Sequence, residues 1–284
     1  MDLILLQGAD PAKGKIPDFK ITVFDEALKR TEKKYGPYRY VSTTVTLSRD
    51  RMYEELMAGR MINVTMTATQ PKWEENLIPI MIPMDMGLSG LRISLIRSDT
   101  QAYLSAIRHV DALKALTMGV GSGWSSRKVA EANGFLVAPA ENYEALMKML
   151  MAGRSDYFPR SLNEAFSEYD AWHGQFPELA IDNAILLNMP LPTYIFVSPK
   201  EPRLAKRIEE GMEMLVKDGT LQRIMLKFNA DLIKRADLCR RTVFQIPNPT
   251  LSDATPLQRK EVWFDPFDPK RGICARTASV GKLR

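Results

Sequence analysis

Histidine and cysteine are scarce in this chain, two of each in 284 residues, and their scarcity excludes several kinds of chemistry. Cys239 and Cys274 alone cannot build a structural zinc site, and His109 and His173 stand far from both in the sequence. Two separate thiols, buried or incidental, are the expectation; a disulfide between them would require an oxidising compartment. Long apolar runs are also absent. The longest aliphatic stretches, Leu3 to Leu6 and Ala184 to Leu187, are far too short to span a bilayer. The start does not resemble a signal peptide, because Asp2 replaces a basic region and Gln7-Gly8-Ala9-Asp10 cuts the apolar run short. For an exported protein, the expectation is that the signal has already been removed.

What is present is globular. An apolar share of 45% with 26% charged residues excludes a wholly disordered, collagen-like or fibrous chain. The length is about twice that of a usual domain, so two lobes or one large α/β unit are both open. The formal charge of +5 is unevenly spread: residues 257–284 carry seven Lys/Arg against three Asp/Glu. A nucleic-acid binder carries its basic surplus as a stripe on the folded body, whereas here it is mostly a tail.

Strands and helices alternate, the pattern of an α/β protein. A strand at 3–7 leads into a helix at about 17–35, with Pro17 and Asp18 at its start and Lys33, Lys34 and Gly36 at its end. Residues 38–46 read as a strand, Ser48 caps a helix that stops at Gly59, and a strand follows from Met61 to Met66. Tyr143, Leu146, Met147, Leu150 and Met151 form an apolar helix stripe ending at Gly153. Met57-Ala58-Gly59-Arg60 recurs as Met151-Ala152-Gly153-Arg154, each time between a helix and a strand, which suggests two similarly built lobes. Ser122 to Asn133 is a helix entered from a glycine-rich turn, and Ser161 with Glu164 has capping-box spacing. Strands are expected at 179–187 and 193–198, then helices from about Pro202 to Gly219 and at about 221–229. Beyond residue 246 five prolines predict mostly loop.

The order Gly119-Val120-Gly121-Ser122-Gly123, Ala152-Gly153-Arg154-Ser155-Asp156 and Lys217-Asp218-Gly219-Thr220-Leu221 resembles the periplasmic solute-binding proteins of family 3. The divergent members with segments like Leu77-Ile78-Pro79-Ile80 and Phe158-Pro159-Arg160 are the nearest in kind. The resemblance covers about residues 1–264. It implies an α/β, two-lobed type II periplasmic-binding-protein fold, with mainly parallel sheets flanked by helices. Lobe 1 is expected at 1–90 plus 192–264 and lobe 2 at 93–188, with hinges near Leu91 and Met189. Residues 265–284 are then a basic C-terminal tail that adds little to the core. The resemblance also implies non-catalytic capture of a small solute by closure of two lobes, in the periplasm, with a possible ABC permease as partner. A monomer is expected, with no cofactor, no metal, no nucleic-acid partner and no membrane insertion.

Departures from the family pattern shape the expected ligand. The usual carboxylate-binding Arg would fall at Trp73, beside Lys72, and the usual ammonium-binding Asp at Ser161. Losing two charge-assisted partners costs roughly two to four decades of affinity, so free α-amino acids are not the expected ligands.

The remaining candidates are weighed residue by residue. The turn at 119–123 is neither a dinucleotide fingerprint nor a P-loop; it offers N–H donors at Ser122, Gly123, Trp124 and Ser125, or is simply a capped helix start. Arg160 before the Ser161 cap adds a positive charge, unless it faces solvent. Thr67 and Thr69 follow the strand at 61–66, and Asp10 follows the first strand and either meets a ligand or shapes the turn. Trp73 and Trp124 offer stacking faces, though a structural tryptophan is the competing reading. The sixteen methionines read as core filler, and neither histidine has a visible nucleophile partner. The combined expectation is an anionic or neutral acceptor-rich solute. A sensory module or an enzyme on the same fold is the alternative.

Overall fold

The computed structural model describes residues 1–7, 18–43 and 45–274. The chain divides into two compact units. Unit 1 comprises Met1–Gly87, Pro192–Phe228 and Leu251–Trp263; unit 2 comprises Leu88–Leu191, Asn229–Thr250 and Phe264–Arg284.

Unit 1 is built on β1 (Asp2–Gln7), β2 (Tyr38–Thr43), β3 (Val64–Ala68), β4 (Ile78–Ile80) and β11 (Thr193–Val197). β1 and β2 pair in parallel, whereas β11 lies between β3 and β4 and runs antiparallel to both. The buried Asn63 links the two groups. Its Oδ1 accepts from the Leu5 N–H at 2.8 Å and its Nδ2 donates to the Leu3 carbonyl at 2.8 Å, while its own N–H reaches the Leu5 carbonyl. An amide side chain thus replaces ladder bonds where β1 meets the start of β3. The resulting neighbour order is β2-β1-β3, so the strand order reverses at β1, with α1 (Phe19–Tyr35) connecting β1 to β2 and α2 (Arg49–Ala58) connecting β2 to β3.

Local chemistry explains both helices. Asp18 caps α1 by accepting the Lys20 N–H at 2.9 Å, and Gly36 (φ 85°) closes it. Ile21, Phe24, Ala27 and Leu28 form its buried face, packed against α9 (Pro202–Lys217). The two helices approach so closely that a Cβ on Gly211 would run into the Ala27 carbonyl. Ser48 caps α2, as its position predicts.

Unit 2 centres on β5 (Leu91–Arg97), which runs antiparallel to β8 (Tyr157–Ser161), β9 (Leu179–Ile181) and β10 (Ile185–Asn188). Beyond β8 come β6 (Thr117–Gly121) and β7 (Leu136–Ala140) in parallel, and beyond β10 comes β12 (Thr242–Gln245). Helices α6 (Ser125–Ala132), α7 (Tyr143–Met151) and α8 (Leu162–Trp172) flank this sheet. The sheets are therefore mixed rather than mainly parallel. The strands responsible, β5 and β11, are those that begin where the chain has just passed between units.

The repeated tetrapeptide has one geometry in both places. Gly59 (φ 61°) and Gly153 (φ 68°) take the left-handed conformation after α2 and α7. Arg60 N–H reaches back to the Glu55 carbonyl, and Arg154 N–H to the Met149 carbonyl, the same six-to-one closure.

Several expectations need correction. Residues 229–250 belong to unit 2, not to the first lobe, because β12 pairs with β10. The strand expected at 179–187 is broken by Asp182, whose carboxylate accepts from the Ala184 and Ile185 N–H groups. The helix at 221–229 runs longer, as α10 (Thr220–Ala236). Cys239 and Cys274 are not separate thiols but a disulfide, with Cα atoms 5.2 Å apart. Residues 265–274 are accordingly tied down: Cys274 N–H donates to the Pro266 carbonyl, and Asp268 accepts from the Lys270 and Arg271 N–H groups. Pro17 and residues 275–284 lie outside the described residues.

Candidate functional site

In unit 1, β1 and β3 are joined through Asn63 rather than by a backbone ladder. A pocket of about 240 Å³ opens between Leu6–Gln7 and Thr65–Met66. Helix α1 closes one wall with Asp18, Lys20 and Ile21, and α2 contributes Met52. This is the β1/β3 reversal point, where ligands gather in open α/β sheets. The Lys20 ammonium donates to the Met66 carbonyl at 3.3 Å, and the Gln7 side-chain carbonyl accepts the Leu47 N–H at 3.1 Å.

The expected unit 1 candidates fare differently. Thr67 lies within β3 opposite Tyr194 rather than after the strand, and is half-buried. Thr69 donates its hydroxyl to the Glu74 carboxylate and its N–H to the Pro192 carbonyl, so both its donors are engaged. Trp73 is a core residue, 3% exposed, with Phe196 and Tyr53 against its ring at 5.3 and 5.9 Å. It presents no stacking face to a ligand. Asp10 lies outside the described residues.

In unit 2 the glycine-rich turn has a packing cause. The Trp124 indole folds back over Gly121, where any Cβ would collide with the ring. Trp124 also stacks on Phe158 at 5.9 Å, and the Arg160 guanidinium lies 4.3 Å from its ring. Gly123 is open, and Ser122 and Ser125 are half-buried; α6 starts at Ser125 without a side-chain cap.

Arg160 is not a free cation. It is 7% exposed, and its Nε and Nη2 donate to Glu168 at 2.5–2.9 Å, with Glu164 at 3.2 Å. Ser161 forms the capping box its spacing to Glu164 predicts, donating its N–H and hydroxyl to Glu164 Oε2 at 3.2 and 2.6 Å. The capping box thus fills the α8 N-terminus with the protein's own carboxylate, and the expectation of a positive anion trap there is corrected.

Sequence reasoning missed Arg92, 6% exposed on β5, whose Nη2 donates to the Pro159 carbonyl and lies 3.9 Å from Glu164. Burial pulls its pKa down to about 10, with Glu164 offsetting part of the effect. Burial pushes the Glu168 carboxyl above its usual range even beside Arg160. For Glu164, burial raises the pKa, but Arg160, Arg92 and the Ser161 hydrogen bonds outweigh it and hold the carboxyl low. Two guanidiniums and two carboxylates balance, so the cluster is electrically closed.

No protein-family profile and no curated protein matches the sequence. Among solved structures, the chain is similar to the probable amino-acid ABC transporter extracellular-binding protein ytmK from Bacillus subtilis. That match has 15% identity, covers 81% of this chain and 98% of the other, and has a TM-score of 0.57. It is similar also to an ancestral arginine-binding protein bound to arginine, at 20% identity, 80% and 98% coverage and a TM-score of 0.51. The likeness establishes the class of fold: the chain has the α/β architecture of type II periplasmic binding proteins. Among the described residues, no helix is long and apolar enough to cross a membrane.

Proposed function

We propose that this protein is a solute-binding protein that captures a small molecule outside the cytoplasm and delivers it for ABC-type uptake. The observation that carries this reading is the unit 1 pocket of about 240 Å³ at the β1/β3 reversal point. A small solute fits the structural neighbours, whose names describe amino-acid binding and transport. The Cys239–Cys274 disulfide supports an extracytoplasmic setting, because such bonds persist in oxidising compartments. On unit 2, the half-buried Ser122, Trp124 and Ser125 remain candidate contacts through the uncapped start of α6.

The test is mass spectrometry of the small molecules released when the purified native protein is denatured. A single solute at near one per chain, recovered unchanged after incubation with fresh protein, is the expected result. Absence of any bound solute, or its chemical conversion, would contradict the reading.

A further inference from the structure

The Lys20 ammonium lines the unit 1 pocket from the first turn of α1. Its one described hydrogen bond is the 3.3 Å contact to the Met66 carbonyl, which leaves two of its three donors for another partner. Among the described residues no carboxylate pairs with it. Asp18, the acidic residue on the same wall, is exposed and accepts the Lys20 N–H as the helix cap. The Gln7 side chain has its carbonyl engaged by Leu47, so its NH₂ is the end left to donate. Lys20 and the Gln7 amide thus supply donors, beside the exposed Asp18 carboxylate and the Thr65 hydroxyl, which is directed to Met52 Sδ. Among the described residues, Leu6, Ile21, Met52 and Met66 line the rest of the pocket without an aromatic ring, which suits a flexible aliphatic chain rather than a planar one.

From this arrangement we infer that Lys20 is the anion-holding residue of the unit 1 pocket and that its ligand is a short aliphatic monocarboxylate. The inference rests on the solute-binding reading and narrows it. A carboxylate receives the ammonium and the Gln7 amide, and the hydrocarbon part displaces water from the thioether and aliphatic wall. An α-amino acid would bring an ammonium for which, among the described residues, the pocket offers only the exposed, helix-capping Asp18 carboxylate, so the additional charge gains little and loses hydration.

Calorimetry on the full chain, after removal of bound solute, tests this with 4-methylpentanoate, its neutral analogue 4-methylpentanamide, and leucine. We expect one site for the acid, with the amide weaker by about tenfold or more and leucine also weaker than the acid. Lys20→Gln should weaken the acid by a similar factor, leave the amide unchanged and retain the wild-type melting curve. Lys20→Arg should keep part of the affinity. Equal binding of acid and amide, no effect of Lys20→Gln on the acid, or tightest binding of leucine would overturn the inference. If neither acid nor amide binds, the inference also fails. The solute released from native protein then separates the two readings: one of other chemistry leaves solute binding standing, and none at all removes both.

Discussion

Arg160 shares its single Nε–H between both oxygens of the Glu168 carboxylate and donates to it again from Nη2, at 2.5–2.9 Å, in the part of unit 2 where a ligand-binding cation was expected. The pair is buried, with side-chain exposures of 8% and 16%. Its charge is therefore already matched, and the residue's role is to hold Trp124 and α8 in place.

Removing one partner of such a pair leaves the other charged and poorly solvated. Arg160→Ala should lower the unfolding free energy by about 3–5 kcal/mol, measured by urea denaturation. The double change Arg160→Met with Glu168→Gln should cost less, since no buried charge is stranded. Equal losses would show that packing on Trp124 dominates over charge.

The α1–α9 contact depends on a missing side chain. Gly211→Ala places a methyl against the Ala27 carbonyl, which neither helix can avoid without moving. Overpacking of this kind costs typically about 1–3 kcal/mol, more than the helix-propensity gain of alanine. A melting temperature at or above that of the parent would show that the helices separate easily.

The disulfide closes a loop of 35 residues in sequence separation. Cys239→Ser with Cys274→Ser, or mild reduction, should destabilise the protein by about 2–4 kcal/mol. For the same reason deletion from residue 265 onward should lower the melting temperature. A truncation at 265 that melts like the full chain would contradict this.

Asp218 carries the acid dependence that can be assigned most directly. Hydrogen bonds from the Thr220 hydroxyl and N–H, then from Arg30 at 2.6 Å, hold its pKa at about 2 instead of 3.8. The folded state thus binds this proton less readily than the unfolded chain. Its contribution is present above pH 3.8 and is lost as pH falls through about 2. Between pH 4 and pH 2, Asp218→Asn should lose less stability than the parent, read as the shift in urea midpoint. Parallel curves for the two proteins would contradict the assignment. Because Asp218 is 40% exposed, the difference should also shrink in high salt.

Features fixed by neighbours in sequence were legible before the fold was known. The Ser48 cap, the Ser161–Glu164 box and the two Met-Ala-Gly-Arg closures are each written within a few residues. Features fixed by distant segments were not. Trp73 looks like a ligand platform until Phe196 and Tyr53 are seen to cover it. Arg92 and Glu168 are 76 positions apart in the chain, so their shared charge cluster has no local signature. Cys239 and Cys274 pair because their Cα atoms lie 5.2 Å apart, a distance no spacing rule supplies. The pocket draws on β1, β3, α1 and α2, and only the β2-β1-β3 order brings Lys20 beside Met66. That order could have directed attention to Lys20 through the reversal-point rule, had the strand order been derived first.

The central claim is that a small solute sits between β1 and β3 in unit 1. Amide hydrogen exchange of solute-stripped protein, with and without the small-molecule fraction released from native protein, tests it most directly. The account predicts slower exchange at Leu6, Gln7, Thr65 and Met66 and in the first turn of α1 when the fraction is added. Unchanged exchange in those segments, or slowing confined to other parts of the chain, would contradict it.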